Sequence, residues 1–237
     1  MKDRNTYFGG KGADGTYQTI INHIRPHDIF IELFAGYASI SKRKRKAGCS
    51  TELIELDPEV CKKLEKELEI PDYIVMNMSA FDYLKGMIQF LSTTSLKIVV
   101  FADPPYPVSC RVSEHKYKFD LTDAQHVELL GLLMKLPCDV IICTKPNDLY
   151  KVLLKDWKLV EYMNNTHAGA QLEWLFMNYE EITELHDDSY LGSTHRERQL
   201  IRKKMRRWKR NLANMPVLQQ KFMLRQLNGV IQEGNAK

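Results

Sequence analysis

An Asp-Pro-Pro-Tyr motif at residues 103–106 ends an apolar run at 99–102. Ligands of open α/β sheets bind beyond the carboxyl ends of strands, so this motif stands where chemistry is expected. The prolines fix the backbone and leave their carbonyls as rigid acceptors. The exocyclic amine of a purine is a weak nucleophile, because its lone pair is delocalised into the ring. Hydrogen bonds from that amine to the Asp103 carboxylate and the Pro104 carbonyl would direct the lone pair towards a methyl donor.

We therefore predict that Asp103, Pro104, Pro105 and Tyr106 are catalytic, with Tyr106 stacking on a base that has left its duplex. The alternative is a strand that ends in a proline turn, with the Asp side chain capping a loop.

Two further motifs follow predicted strands and are typical of a cofactor site. Residues 34–36, Phe-Ala-Gly, are mostly small and would let a cofactor approach the backbone. Glu55, with Asp57 two residues later, ends the next strand, where an acid can bind both ribose hydroxyls. Asp82 follows the third strand and would lie near an adenine ring. Each acid alone could instead be a helix cap or a solvated charge, and the choice between Glu55 and Asp57 stays open.

The glycines near the N-terminus do not predict a nucleotide-binding loop by themselves. Residues 10–15 fit G-x-G-x-x-G, but no strand precedes them, as a dinucleotide fingerprint requires. Lys11 is followed by Gly12 rather than Ser or Thr, which excludes a P-loop.

Short apolar runs alternate with helical patterns and predict a doubly wound α/β sheet. The predicted strands are 28–33, 51–55, 73–76, 97–102 and 139–143. The predicted helices are 39–46, 58–67, 79–91, 122–136 and 147–155. Ser79 and Thr122 are expected to cap two of these helices. Strands at 157–163 and 172–179, separated by an Asn-rich turn, predict a closing antiparallel hairpin.

The C-terminal region is predicted to be a basic helical hairpin. A polar linker at 184–194 precedes it, and Pro216 begins its second helix. This pattern divides the chain into a catalytic domain, 1–192, and a helical appendage, 193–237.

The net charge of +4 conceals a strong asymmetry. Residues 195–210 hold nine Lys or Arg and one Glu, a local charge of +8, so the rest of the chain carries −4. Such a dense stripe predicts phosphate contacts. The alternative is a solvated face that packs on the sheet domain through Leu200, Met205 and Trp208. The predicted phosphate-binding residues are Arg202, Lys203, Arg206, Arg207 and Arg210.

Composition excludes several other classes. Five cysteines without a CxxC pair indicate neither a disulfide framework nor a thiolate zinc site. His23 and His27 have helical spacing but no HExxH motif, so we predict no metal. The absence of a long apolar segment or signal core predicts a cytoplasmic protein without membrane contact.

Taken together, residues 7–11 (Tyr-Phe-Gly-Gly-Lys), 34–36, Glu55 and 103–106 resemble the Dam-like class of DNA adenine-N6 methyltransferases that carries a Gly-Gly-Lys motif. The order of the motifs matches over about residues 7–179. The resemblance implies an α/β fold with a Rossmann-like class I methyltransferase sheet, and S-adenosylmethionine as cofactor. It also implies that double-stranded DNA is the partner and that the chain is a phage-type or restriction-modification enzyme. The cofactor-binding residues would be Tyr7, Gly10, Lys11, Phe34, Ala35, Gly36, Glu55, Asp82 and Asp103.

This chain departs from the Dam-like pattern in two respects. The usual target-recognition insertion before the catalytic motif is missing, and the ribose acid is Glu rather than Asp. We expect base reading by the loop at 107–121, with Arg111 contacting guanine and Tyr117 contributing. Two other functions stay open: methylation of adenine in RNA, and nucleic-acid binding without catalysis. The recognition sequence, the protein partners and the oligomeric state are not predicted.

Overall fold

The computed structural model describes residues 10–68, 72–111, 118–166, 169–180 and 182–235. It divides into two compact units, Met1–Tyr190 and Leu191–Lys237.

The first unit is built on one seven-stranded sheet with the order β3-β2-β1-β4-β5-β7-β6. Strands β1 to β5 are parallel, and β7 pairs antiparallel with β5 and with β6. This order and these directions confirm the predicted fold class, the Rossmann-like class I methyltransferase sheet. The strands are β1 (Ile29–Leu33), β2 (Ser50–Glu55), β3 (Tyr73–Asn77), β4 (Ile98–Ala102), β5 (Asp139–Thr144), β6 (Lys158–Thr166) and β7 (Gly169–Met177).

In the described part of this unit, five α-helices accompany the sheet. They are α1 (Thr16–Ile21), α2 (Pro58–Glu67), α3 (Ala80–Thr93), α4 (Asp123–Leu133) and α5 (Asp148–Leu153). The predicted caps are confirmed: the Ser79 side chain accepts from the Phe81 N–H, and the Thr122 side chain accepts from the Gln125 N–H. Helix α1 was not predicted.

The strands form two apolar layers because successive side chains point to opposite faces of the sheet. Ile31 and Val100 belong to the layer that includes residues of α3, α4 and α5. Phe30 and Phe101 belong to the opposite layer, which includes residues of α1. Every residue of β1 and β4 is buried, as expected for central parallel strands.

The helix predicted at 39–46 is wrong, because residues 39–43 form turns and residues 44–46 are not helical either. Ala38 has a φ of 50°, outside the helical region. The Glu32 carboxylate accepts hydrogen bonds from both the backbone N–H and the hydroxyl of Ser41. Lys44 extends into the interior, where its ammonium lies 3.1 Å from His27 Nε2. These side-chain interactions replace those of a regular helix.

Two boundaries near the end of the first unit also differ from the prediction. The hairpin strands continue into the predicted turn, since Asn164 is a buried residue of β6 whose side chain contacts Thr16 and Glu173. Part of the predicted linker belongs to the first unit. The His186 ring stacks on His27, with ring centroids 3.7 Å apart, and Asp187 accepts from the Arg45 N–H.

Over its described residues, the second unit contains two helices, α6 (His195–Ala213) and α7 (Val217–Asn235). The Thr194 side chain caps α6 by accepting from the Glu197 N–H. The predicted phosphate-binding residues all lie on α6 and are exposed.

Candidate active site

A cavity lies at the carboxyl ends of β1, β2 and β4. The parallel register places Leu33 of β1 beside Ile54 of β2 and Ala102 of β4, so the segments that follow these strands meet at one edge. Of the predicted cofactor-binding and catalytic residues within the described ranges, all but Tyr106 and Asp82 line this cavity. They are Gly10, Lys11, Phe34, Ala35, Gly36, Glu55, Asp103, Pro104 and Pro105.

The loop after β1 presents its backbone to the cavity. Phe34 and Gly36 have φ angles of 55° and 51°, a region that favours glycine and costs other residues energy. The Gly36 N–H donates to Glu55 Oε2 at 2.8 Å, and the Asp57 N–H donates to Glu55 Oε1 at 2.8 Å. Burial raises the pKa of Glu55, and these two amides oppose that rise. Glu55 is therefore held rigidly at the cavity wall, with its conformation coupled to the loop.

Asp57 has a different environment from Glu55. Its side chain caps α2 by accepting from the Glu59 N–H at 3.0 Å, and it forms an ion pair with Lys118 at 2.8 Å. The hydrogen bond from Lys118 is the main cause that lowers the pKa of Asp57. Glu55 lines the cavity and Asp57 does not, which favours Glu55 between the two acids.

A buried polar cluster includes two residues of the Asp-Pro-Pro-Tyr motif. It consists of Lys11, Asp103, Tyr106, Tyr162, Asn164 and Glu173. The Lys11 ammonium lies 2.8 Å from Asp103 Oδ1 and donates to the Tyr106 hydroxyl at 2.6 Å. Burial raises the pKa of Asp103 to about 6, with nearby Lys11 opposing the rise and Glu173 adding to it.

Tyr106 departs from its predicted role. Its side chain does not line the cavity, its exposure is only 4%, and its hydroxyl donates to Glu173 Oε1 at 2.8 Å. In this geometry the ring is not available for stacking on a base. The hydroxyl instead connects Lys11 with Glu173.

Asp82, predicted to bind the cofactor, and Arg111, predicted to contact guanine from the loop at 107–121, are placed differently from the prediction. Asp82 is an exposed residue in the first turn of α3 and does not line the cavity, whereas its neighbour Phe81 does. Arg111 is largely buried: its guanidinium donates to both oxygens of Asp120 and to the Tyr106 carbonyl. Arg111 therefore holds the loop that follows the Asp-Pro-Pro-Tyr motif, and its guanidinium is not available for a bidentate hydrogen bond to a base. Tyr7 and Tyr117 lie outside the described residues.

Sequence reasoning missed Glu32, Lys118 and Glu173. Glu32 lines the cavity from within β1, and burial raises its pKa to about 7. Lys118 also lines the cavity. Glu32 and Glu173 could have been found from the sequence, because each is a carboxylate inside an apolar strand. Such a residue is rarely buried without a partner, so its presence there indicates a buried polar interaction.

No metal site or membrane span is found in the ranges that the structure describes. No three His, Cys, Asp or Glu side chains there are grouped so that they could hold a metal ion. None of the helices in those ranges combines the length and apolar character needed to cross a bilayer.

Comparison with protein-family profiles finds no match, and comparison with curated proteins finds none either. Among solved structures, the chain is similar to a candidate methyltransferase, yhhF, from Escherichia coli, with 18% identity over 70% of this chain and 84% of that one, and a TM-score of 0.46. It is similar to a SAM-dependent methyltransferase from Agrobacterium tumefaciens, with 12% identity over 69% of this chain and 60% of that one, and a TM-score of 0.46. It is also similar to precorrin 8w decarboxylase from Methanobacterium thermoautotrophicum, with 13% identity over 72% of this chain and 92% of that one, and a TM-score of 0.45. These identities and TM-scores are too low to define a reaction.

Proposed function

We propose that this protein is an S-adenosylmethionine-dependent methyltransferase that acts on the exocyclic amine of adenine in DNA. The observation that carries the proposal is the meeting of Asp103-Pro104-Pro105 with the Gly36 loop and Glu55 around one cavity. The Asp103 carboxylate and the loop expected to bind the cofactor are thus adjacent, as group transfer between two bound molecules requires.

The cavity fits the chemistry of S-adenosylmethionine. Gly36 has no side chain and presents backbone to the cavity, which permits close approach of a ligand. The Glu55 carboxylate can accept from ribose hydroxyls in addition to its two backbone donors, since each carboxylate oxygen has two acceptor positions. Phe81, Met78 and Leu56 supply apolar surface for a purine ring. When bound, the cofactor would supply an electrophilic methyl group.

Asp103 and the Pro104 carbonyl would activate the acceptor amine. Proline contributes no N–H, so its carbonyl is a fixed acceptor that the backbone cannot easily turn away. Two hydrogen bonds from an amine to these oxygens would favour a tetrahedral nitrogen with its lone pair directed into the cavity. Both interactions strengthen as positive charge develops on the nitrogen, so they stabilise the transition state more than the bound substrate.

The exposed basic residues of α6 would bind the DNA backbone. They include Arg202, Lys203, Arg206, Arg207 and Arg210, and a row of cations along one helix matches the charge of a phosphate chain. Phosphate contacts supply affinity and register but do not read bases. The enzyme would bind a flipped-out adenine, because the amine cannot reach a carboxylate inside the cavity while it is paired in a duplex.

The proposal is tested by incubating the purified protein with S-adenosylmethionine carrying a labelled methyl group and with DNA of mixed sequence. Nucleoside analysis should find label on adenine N6. Asp103→Asn keeps the size of the side chain but replaces an acceptor oxygen by a donor, and its turnover should collapse while the fold persists. Label on cytosine, or none on any DNA, would refute the proposal.

RNA of the same sequences serves as the comparison substrate. Preferential methylation of RNA would change the substrate class, since the pocket that receives the base does not by itself distinguish the sugar. Retained DNA binding without cofactor binding would identify a nucleic-acid-binding protein that does not catalyse.

A further inference from the structure

Glu173 of β7 lies at the centre of the buried polar cluster, although its own side chain does not line the cavity. Its Oε1 accepts from the Tyr106 hydroxyl and from Asn164 Nδ2, both at 2.8 Å. Its Oε2 accepts from the Tyr162 hydroxyl at 2.6 Å and lies 3.7 Å from the Lys11 ammonium. A carboxylate with 2% residue exposure is thus surrounded by donors.

Stability alone is a poor explanation for this arrangement. Burying charged groups carries a large desolvation penalty, and apolar residues of similar volume often stabilise a protein as well or better. The cluster also carries a formal charge of −1, because Lys11 opposes both Asp103 and Glu173. Such a costly group is better explained by what it does to its neighbours.

The hydrogen bonds of the cluster have a defined direction. The single proton of the Tyr106 hydroxyl is donated to Glu173, so its oxygen must accept from Lys11. The ammonium of Lys11 is thereby held on one side by Tyr106 and attracted by Glu173. The same ammonium forms an ion pair with Asp103 Oδ1 at 2.8 Å. Glu173 thus constrains the position of the Lys11 ammonium, both directly and through the Tyr106 hydroxyl, and this ammonium contacts the Asp103 carboxylate.

We propose that Glu173 is a positioning residue that acts through Lys11 and Tyr106 to fix the orientation and charge of the Asp103 carboxylate. The inference rests on the proposed function for its catalytic consequence, but its effect on Asp103 does not depend on that function.

Glu173 also acts on Asp103 as a like charge. Burial raises the pKa of Asp103, Lys11 opposes the rise, and Glu173 adds to it. Replacing Glu173 by Gln removes the like charge and leaves Lys11 with Asp103 as its only carboxylate within the cluster. The pKa of Asp103 should therefore fall. Other titratable groups also surround Asp103. Within the cluster they are Lys11, Tyr106, Tyr162 and Glu173, and from β1, β5 and α5 they are Glu32, Cys143 and Tyr150.

The test follows the carboxyl carbon of Asp103 by NMR in protein labelled with carbon-13 at aspartate, with Asp103→Asn used to assign the signal. Wild-type protein should titrate near pH 6. In Glu173→Gln the midpoint should move to lower pH by about one unit or more, since an opposite charge left unopposed lowers a carboxyl pKa by roughly 1–3 units. An unmoved midpoint in a folded variant would overturn the proposal.

Glu161→Gln is the matched control. Glu161 pairs with Trp174 in the same β6–β7 hairpin and accepts from its indole N–H at 2.9 Å. Its register position is one step from the Tyr162–Glu173 pair, so its side chain points to the opposite face of the hairpin. The Asp103 midpoint should stay unchanged in this variant, and an equal shift would show that any charge removed from the hairpin has the same effect.

A second measurement keeps the proposal testable where Glu173→Gln folds poorly. The Lys11 ammonium lies 3.7 Å from Glu173 Oε2 and helps to lower the pKa of Glu173 against the effect of burial. In protein labelled at glutamate, Lys11→Met should therefore raise the midpoint of Glu173, whose signal is assigned by its loss in Glu173→Asp. A Glu173 midpoint that does not respond to Lys11→Met would also overturn the proposal.

Kinetics distinguish positioning from a purely structural role. In Glu173→Gln, kcat should fall by about 10- to 100-fold, because a displacement of about 1 Å at a reacting centre costs on the order of 10²-fold. The dissociation constant of S-adenosylmethionine should stay within about twofold. If wild-type protein methylates no nucleic acid, the proposed function fails while the titrations still decide the role of Glu173.

Discussion

Replacing Lys11 by Met should move the pH profile of methyl transfer to higher pH. Lys11 Nζ lies 2.8 Å from Asp103 Oδ1, and Asp103 has a pKa of about 6 with this cation present. Only the ionised carboxylate can accept a hydrogen bond from the amine without donating one, so activity depends on the deprotonated form. Met has a similar length to Lys and keeps the buried site filled, but it carries no charge.

The size of the shift follows from this ion pair. An adjacent opposite charge lowers a carboxyl pKa by roughly 1–3 units, so its removal should raise the pKa of Asp103 to about 7–9. With a pKa of about 6, some 90% of the carboxyl is ionised at pH 7, and with a pKa of about 8 only about 10% is. The rate at pH 7 should therefore fall about tenfold from this effect alone and should recover as the pH approaches about 9.

The assay measures transfer of labelled methyl in a single turnover at saturating cofactor between pH 5 and 9.5, so that product release does not mask the chemical step. Lys145→Met is the control, because the Lys145 ammonium lies near the same motif, 5.9 Å from the centre of the Tyr106 ring, and is not ion-paired with Asp103. Its acid limb should stay near pH 6. An acid limb near pH 6 in Lys11→Met would refute the electrostatic role of Lys11, and a uniformly low rate without recovery would indicate disturbed geometry instead.

Three other predictions follow from separate interactions. Glu55→Gln should weaken S-adenosylmethionine binding by about 10- to 100-fold in calorimetry, since hydrogen bonds to a charged group contribute about 1.5–3 kcal/mol. Asp57→Ala, which removes the cap of α2, should lower the melting temperature with little change in affinity, and the reverse pattern would assign the ribose to Asp57. Arg111→Met should lower kcat by loosening the loop at the Tyr106 carbonyl without changing the preferred DNA sequence, and a changed sequence preference would restore Arg111 as a base-reading residue. The third variant replaces five cations of α6 by Gln: Arg202, Lys203, Arg206, Arg207 and Arg210. It should bind all DNA sequences more weakly, and the slope of log affinity against log salt should flatten by about 0.9 for each phosphate that is no longer neutralised. An unchanged slope would show that this face of α6 is only solvated.

Local patterns predicted the parallel sheet and the residues at its carboxyl edge. Runs such as 99–102 are apolar throughout because both faces of β4 are covered, and Ser79 and Thr122 cap their helices through hydrogen bonds within three residues. Most cavity residues could be predicted because they lie at or just after the ends of parallel strands, which meet at the same edge. Gly10 and Lys11 precede the strands and were predicted only from the resemblance to a known family.

Interactions between distant residues could not be predicted in this way. Lys11 and Glu173 lie near opposite ends of the first unit in sequence, and nothing local to either indicates the other. Residues 39–46 have helical composition, yet the buried Glu32 carboxylate binds Ser41 and the chain turns instead. Asn164 has the composition of a turn but is part of β6, because Thr16 and Glu173 satisfy its side-chain amide.

The cations of this chain show why residue type alone does not define a role. Lys11 is 2% exposed and lies between two carboxylates, so its charge acts on the catalytic group. Arg111 is held by Asp120 and the Tyr106 carbonyl, so its charge acts on the conformation of the loop. The cations of α6 other than the buried Arg198 are exposed, and the single acidic residue in the sequence of that helix, Glu197, accepts from Ser193. Burial and carboxylate partners therefore distinguish three kinds of basic residue that look alike in the sequence. Under the proposed function, variants at Lys11 should change the pH profile, variants at Arg111 should change kcat, and variants on α6 should change the salt dependence of DNA binding.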